Sequence, residues 1–409
     1  MVKRTNKSFV VIIACISFLS TLTLNNGLAL GKDEKKEILI GSHLPLSGPG
    51  SLVGAEQKWA YERAVEDINK SGGIYVKKYG KKLPVNLVVI DDKSDPMSAA
   101  LAVKRLITQE KVDLILGGQV GALGVVPGMI TAEKYGKYYH GTVIWTPDFL
   151  AHNFKWCTMY FFDVVQGAAT PFETWDSLPE SQRPKRLALF LEDSTDGKPI
   201  GDLWTTIARK YGYKIVLCES IVMGGEDFSR QIIKAKLMDV DAVLCFANVP
   251  ESVTLIRQMK KMNYNFKFFY GMKGTWASEF YEALGRDSDY ILSDGFWSMD
   301  YPFPGAKKLG QRYYKEFGKY SVGAGMYYAV CQILWQAIEK AGTLDSASVR
   351  QAVLDGEFET VMGEVDYDER GIALFPLAEF QWWKGKQQII YPIEYSKIEI
   401  KIAPPWDKR

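Results

Sequence analysis

The chain has 409 residues, with 50 Lys and Arg against 48 Asp and Glu, three His and five Cys. A near-neutral balance without a basic run offers no electrostatic grip on nucleic acid. The cysteines are too few for a disulfide scaffold and too widely spaced for paired zinc ligands.

Residues 1–29 read as an export signal. Lys3, Arg4 and Lys7 form the positive start, 9–22 the apolar centre, and Gly27-Leu28-Ala29 a small-residue cleavage site. The apolar centre is shorter than the roughly 20 residues that span a bilayer, and Asn25-Asn26 follow it. Residues 12–15 loosely match a lipid-attachment box, but the apolar run continues past Cys15. No later segment is long and apolar enough to span, so a soluble, exported protein is expected. Loss of the three basic residues leaves the balance within one charge of neutral.

Next comes ILIGSHLPLSGPGSLVG, a short apolar strand, a Pro/Gly/Ser loop and the start of a helix. Residues 54–69 carry Ala60, Ala64 and Ile68 at helical spacing and stop at Ser71-Gly72-Gly73. A strand at 85–90, a helix at 97–109 and a strand at 112–118 complete a β-α-β-α-β pattern, as in a parallel sheet covered by helices. The pattern restarts after Arg183-Pro184. Strands are expected around RLALFLED, YKIVLCESI, 241–248 and 266–271, with helices at 201–211, 228–238 and 251–262. Helices near 307–317, 326–341 and 348–354 follow, then a terminal hairpin turning at Gly385. The fold class is therefore α/β, with two doubly wound Rossmann-like units in tandem.

Catalytic motifs are missing. No Gly-Lys pair is followed by Ser or Thr as a phosphate-binding loop requires, and there is neither a G-x-S-x-G elbow nor an H-E-x-x-H helix. His43, His140 and His152 fall in what read as unrelated loops. Asp95 reads as a helix cap before Pro96, with Asp91 and Asp92 in the preceding turn, so no metal site is assigned. Gly117, Gly118, Gly121 and Gly124 follow a strand and precede a helix. Their spacing is not that of a dinucleotide-binding loop, so no cofactor is expected; they either make a tight turn or expose N–H groups to an anionic ligand atom. Cys218 and Cys245 lie on apolar strand-like runs, where buried free thiols are expected. Pairing among Cys157, Cys218, Cys245 and Cys331 is left open.

Taken together, GSHLPLSGPG, DINKSGGI, VVIDDKSDPMSA, VDLILGG, GGEDFSRQIIKAKLMDVDAVLCFANVPE and VMGEVDYDERG resemble the branched-chain amino-acid (leucine/isoleucine/valine) type of periplasmic substrate-binding protein. These proteins serve ABC importers, and the resemblance spans essentially the whole chain after the signal. It implies a type I periplasmic binding fold with a three-stranded hinge: one lobe at 30–160 plus 300–377, the other at 161–299 plus 378–409. It also implies a periplasmic monomer that is not an enzyme, with a small-molecule ligand and a membrane permease as partners.

Carried over position by position, the resemblance exposes departures. Relatives that bind amino acids usually present Ser and Thr hydroxyls after the third strand; this chain has Gly121, Ala122, Leu123 and Gly124, which leaves backbone donors. The next loop, GTVIWTP, puts Trp145 and Thr146 near the ligand. After the strand ending Tyr270-Gly271, an acid usually pairs with the ligand ammonium; here Lys273 stands, which favours a carboxylate or another acceptor. The usual disulfide of lobe one is absent, with Lys93 and Val120 at its approximate places. Asn248 is expected beside Lys273 on lobe two. Val53, Trp145, Trp276 and Trp297 are expected to shape an apolar wall, with Phe296 nearby. Asp196 and Tyr328 lie near aligned cleft and hinge positions. The expected ligand is small, polar or carboxylated, aromatic in one version and an ordinary branched-chain amino acid in another. A ligand-sensing receptor of the same fold is the alternative role.

Overall fold

The computed structural model describes residues 35–409; the expected export signal and Cys15 lie outside them. Apolar runs bounded by Gly and Pro become strands, and the amphipathic stretches between them become helices. The first part runs β1 (Ile38–Leu44), α1 (Ser51–Lys70), a small hairpin of β2 (Ile74–Val76) and β3 (Lys81–Leu83), then β4 (Val85–Asp91). It continues with α2 (Pro96–Thr108), β5 (Leu114–Leu116), α3 (Val125–Lys134), β6 (Tyr139–Thr142), α4 (Thr146–His152) and β7 (Cys157–Phe162). Asp95 caps α2 by accepting the Ser98 N–H, with Pro96 in the first turn.

The second part runs α5 (Val164–Asp176), β8 (Leu187–Glu192), α6 (Gly197–Lys210), β9 (Ile215–Ile221), α7 (Ser229–Leu237) and β10 (Ala242–Ala247). It goes on with α8 (Val249–Lys261), β11 (Phe268–Lys273), α9 (Ser278–Leu284) and β12 (Leu292–Gly295). Helices α10 (Ala306–Phe317), α11 (Ala324–Ala341) and α12 (Ser346–Leu354) follow. The chain closes with the β13–β14 hairpin (Glu357–Thr360, Gly363–Asp366), β15 (Ile372–Phe375), and the β16–β17 hairpin (Ala378–Trp383, Lys386–Tyr391), which turns at Lys384-Gly385.

Two large sheets result, a six-stranded one in the order β15-β7-β6-β5-β1-β4 and a seven-stranded one in the order β17-β16-β12-β11-β10-β8-β9. The first is wholly parallel; the second is parallel apart from β16 and β17. Parallel strands share a direction, so the loops at their carboxyl ends gather on one edge of each sheet, where open α/β sheets bind ligands. The chain crosses between sheets after β7, after β12 and after β15. The crossings meet in an aromatic knot: Phe296 lies 5.6 Å from both Phe161 and Phe162, and 6.3 Å from Phe375, between ring centroids. The Asp163 N–H donates to the Phe375 carbonyl, and the Leu377 N–H to Gln166 Oε1.

Several expectations need correction. His43 and His140 lie on β1 and β6, both fully buried, and only His152 is at a helix end. Burial pushes the His140 pKa down to about 3, so this ring stays neutral beside Tyr138 and Thr158. Cys218 is exposed, because it occupies the solvent face of the edge strand β9; Cys157, Cys245 and Cys331 are buried, and all four thiols are free. Among the described residues no helix is long and apolar enough to cross a membrane.

Candidate functional site

On the first sheet, three loops come together at the carboxyl edge. A Cβ at Gly50, just before α1, would touch Val120 Cγ2 at 3.0 Å, and one at Gly121 would meet the Val143 carbonyl at 3.2 Å. Val53, the Gly121 segment and the Trp145 loop are thus neighbours, and Val53, Gly121, Trp145 and Thr146 are each half-buried. The N–H groups of Gly121 and Ala122 and the Thr146 hydroxyl have no partner among the described residues, while the Gly121 carbonyl is used by Val126. Leu123 departs from the expectation: its N–H is already bonded to the Val120 carbonyl at 2.9 Å. The available donors are therefore Gly121, Ala122 and Thr146.

The loop after β4 braces this edge. Asp91 Oδ1 accepts the N–H groups of Leu46, Ser47 and Lys93, and Oδ2 accepts the Ser47 hydroxyl. These bonds hold its pKa below the ordinary carboxylate range against the opposing effect of desolvation. The acidic cluster is a loop fastener, as its turn chemistry suggests.

On the second sheet, Glu192, Ala247 and Lys273 end adjacent strands β8, β10 and β11 at one level. Lys273 Nζ reaches across β10, 5.2 Å from the Phe246 ring centroid, and pairs with Glu192 Oε1 at 2.7 Å. Glu192 is buried and also accepts the Ser194 hydroxyl, while its Oε2 has no partner. Lys273 is therefore not the lone cation expected at the cleft but half of a neutralised pair. Its backbone is left-handed, with φ of 74°. Asn248, half-buried at the start of α8, has a side chain without a hydrogen-bond partner among the described residues. Asp196, at the start of α6, is exposed and makes no capping bond.

Trp276, after β11, packs edge-on against Phe296 of the knot at 4.6 Å. Among the described residues, no hydrogen bond, ion pair or ring contact runs directly between the Gly121–Thr146 group and the Glu192–Lys273 group. Two expected wall residues lie elsewhere. Trp297 is fully buried against α11, and its Nε1 donates to the Val361 carbonyl at 3.1 Å. The Tyr328 hydroxyl points along α1 and donates to Asp67 Oδ2 at 2.9 Å, beside Arg312. Both follow from the way α11 packs, which a loop position in the sequence does not reveal. Glu192 and the knot residues Phe161, Phe162 and Phe375 were missed; an acid ending a strand and a run of apolar residues carry no local mark of a site.

Two largely parallel sheets joined by three crossings of the chain define a two-lobed protein of the type I periplasmic binding fold. Residues 37–386 match the periplasmic binding protein family, and the chain belongs to it. It is 26% identical over 379 residues to Leu/Ile/Val-binding protein homolog 1 of Brucella abortus (strain 2308), covering 90% of this chain and 96% of that protein. Two solved structures share the fold. The branched-chain amino acid transporter substrate binding protein LivJ of Streptococcus pneumoniae, in complex with isoleucine, superposes with a TM-score of 0.74 at 21% identity, covering 87% of this chain and 100% of that chain. A solute binding protein of an ABC transporter from Rhodopseudomonas palustris, in complex with 3,4-dihydroxybenzoic acid, gives 0.70 at 17%, covering 86% and 95%.

Proposed function

We propose that this chain is the exported, periplasmic solute-binding subunit of an ABC importer. It captures a small carboxylated molecule between its lobes and delivers it to a membrane permease, without catalysing a reaction. The observation that carries this reading is the group of unpartnered donors at Gly121 N, Ala122 N and Thr146 Oγ1 on one sheet edge. A carboxylate is the small acceptor that several convergent N–H and O–H donors suit, and a charged acceptor strengthens each bond. Half-buried Trp145 and Trp276 supply apolar walls, so the body of the ligand is aliphatic or aromatic.

The Glu192–Lys273 pair removes the reason to exclude an ammonium group. A lone Lys273 would repel it, whereas the pair is neutral overall and Glu192 keeps one free oxygen. Branched-chain amino acids therefore stand beside simple carboxylates as ligands, in keeping with what the Brucella and Streptococcus relatives are named for. Closure follows from a higher affinity of the closed form, since a ligand shifts a hinge equilibrium only by its differential affinity.

The test is a thermal-shift screen followed by calorimetric titration with L-leucine, L-isoleucine, 4-methylpentanoate and 3,4-dihydroxybenzoate. Stabilisation by any of these, lost on methyl esterification, supports carboxylate capture. Ligands that stabilise equally as acid and ester, or a panel without effect, would overturn it.

A further inference from the structure

His43 is fully buried near the end of β1, and both of its ring nitrogens are engaged. Nδ1 lies 2.9 Å from Asp92 Oδ2, and Nε2 lies 2.7 Å from Tyr139 Oη. Tyr139 Oη also accepts the Gly118 N–H at 2.9 Å. That third bond orders the protons. A phenol carries one proton, and with its oxygen already accepting from Gly118, the O–H must point at His43 Nε2 if every group is to be satisfied. Nε2 is then bare, so Nδ1 carries the ring proton and donates it to Asp92. An imidazolium would point its Nε2–H at Tyr139 Oη beside the Gly118 N–H and leave the tyrosine proton without an acceptor in an apolar interior.

The ends of this line lie in the ligand-facing loops. Asp92 Oδ1 accepts the Ser94 N–H at 3.0 Å, and the Ser94 hydroxyl in turn donates to the Ser47 carbonyl at 3.0 Å. At the other end, Gly118 opens the segment that carries the free N–H groups of Gly121 and Ala122. The glycines around the ring are there for space. A Cβ at Gly118 would fall 2.5 Å from His43 Cε1, and one at Gly128 2.5 Å from Nε2, while neither residue has a left-handed backbone. On its other side the segment is held by Gln57 Nε2, which donates to the Gly117 and Gly118 carbonyls at 3.1 Å.

We propose that His43 is a positioning residue for ligand capture: through the ordered line Gly118 N–H to Tyr139, to His43, to Asp92, it ties the loops after β1 and β4 to the carboxylate-binding segment after β5. The inference rests on the reading of Gly121 and Ala122 as carboxylate donors. His43 touches no ligand; it sets where those donors stand.

Three measurements on the same protein test it. Nitrogen-15 spectra of the histidine rings should show His43 as the Nδ1–H tautomer; an Nε2–H tautomer or a doubly protonated ring overturns the line. Tyr139→Phe should speed amide exchange at Gly118, Gly121 and Ala122, whereas Tyr138→Phe should not. Tyr138 is the matched control, because its equally buried hydroxyl bonds Thr158 at 2.7 Å and His140 at 3.1 Å, away from this segment. Tyr139→Phe should also weaken binding of whichever of L-leucine, L-isoleucine or 4-methylpentanoate the protein takes by about tenfold, the cost of one lost buried hydrogen bond, with Tyr138→Phe near the parent value. Equal exchange and equal affinity in the two variants would reduce His43 to packing. If the parent binds none of the probes, carboxylate capture fails, yet the tautomer and exchange results still decide whether the line exists and holds the segment.

Discussion

Asp294 and Glu379 stand directly opposite each other on the antiparallel strands β12 and β16, both buried, and among the described residues no cation pairs with either. Thr174 donates to one oxygen of Glu379, the other oxygen is unpartnered, and Asp294 accepts the Lys273 N–H at 3.3 Å. The carboxylate of Glu173 adds to the negative surroundings of Glu379. Burial, foremost, raises Asp294 to about 7 and Glu379 to about 8. The folded chain therefore holds protons that the unfolded chain releases near pH ~4.

Stability should then fall with rising pH. This contribution is fully present below the unfolded values and is lost as pH rises through the folded values near 7 and 8. Acids with depressed values, such as Asp91 and Asp95, act the other way, but only as pH falls toward their own lower range. The melting temperature should drop between about pH 4 and 8, more gently below about pH 6.5, where His140, held neutral by burial, works the other way, and Asp294→Asn should flatten the slope. An unchanged slope in that variant would remove the pair from the account.

The Glu192–Lys273 bond makes a second prediction. Removing the ammonium leaves a buried carboxylate without its partner, so Lys273→Met should destabilise the fold by about 2 kcal/mol, a figure reduced from the fully buried case because Lys273 is about one-third exposed. Adding Glu192→Gln should restore part of that loss. Denaturant melts of both single variants and the double variant give the coupling, and additive losses would mean that the pair contributes nothing.

The parallel units were legible because buried parallel strands read as unbroken apolar runs, such as LALFL in β8 and AVLCFA in β10. Residues 138–176 were not, since their apolar residues show no period that separates the short strands β6 and β7 from the helices α4 and α5; Pro171 inside α5 obscures it further. Strand order and glycine placement put Gly121 and Ala122 in a loop after β5, where their N–H groups have no partner among the described residues. Lys273 was placed at the right strand end but given the wrong charge environment, because its partner lies 81 residues away. Trp297 and Tyr328 failed for a related reason: where a side chain points depends on how α11 packs.

Trp297 should accordingly behave as a core residue. A Cβ at Gly325 would sit 2.2 Å from the indole, on the tightly packed face of α11. Gly325→Ala should cost about 2–3 kcal/mol despite the better helix propensity of alanine, because the clash is with a buried ring. Urea melts measure this, and a neutral or stabilising substitution would show that Trp297 is free to move.

Thr146→Val separates ligand contact from packing at the cleft. The hydroxyl has no partner among the described residues, and valine matches the side chain in shape, so the fold should change by less than about 0.5 kcal/mol. If the hydroxyl donates to the ligand carboxylate, the bound anion loses a charge-assisted bond worth about 1.5–3 kcal/mol, which is a loss in affinity of about tenfold or more. Trp276→Phe should instead weaken ligands with bulky apolar bodies while sparing small ones, because it trims a wall and removes no donor to the carboxylate. Calorimetric titration of the parent and both variants distinguishes the two effects. Should Thr146→Val bind every carboxylate as the parent does, the anion would be held by the Gly121 and Ala122 N–H groups alone.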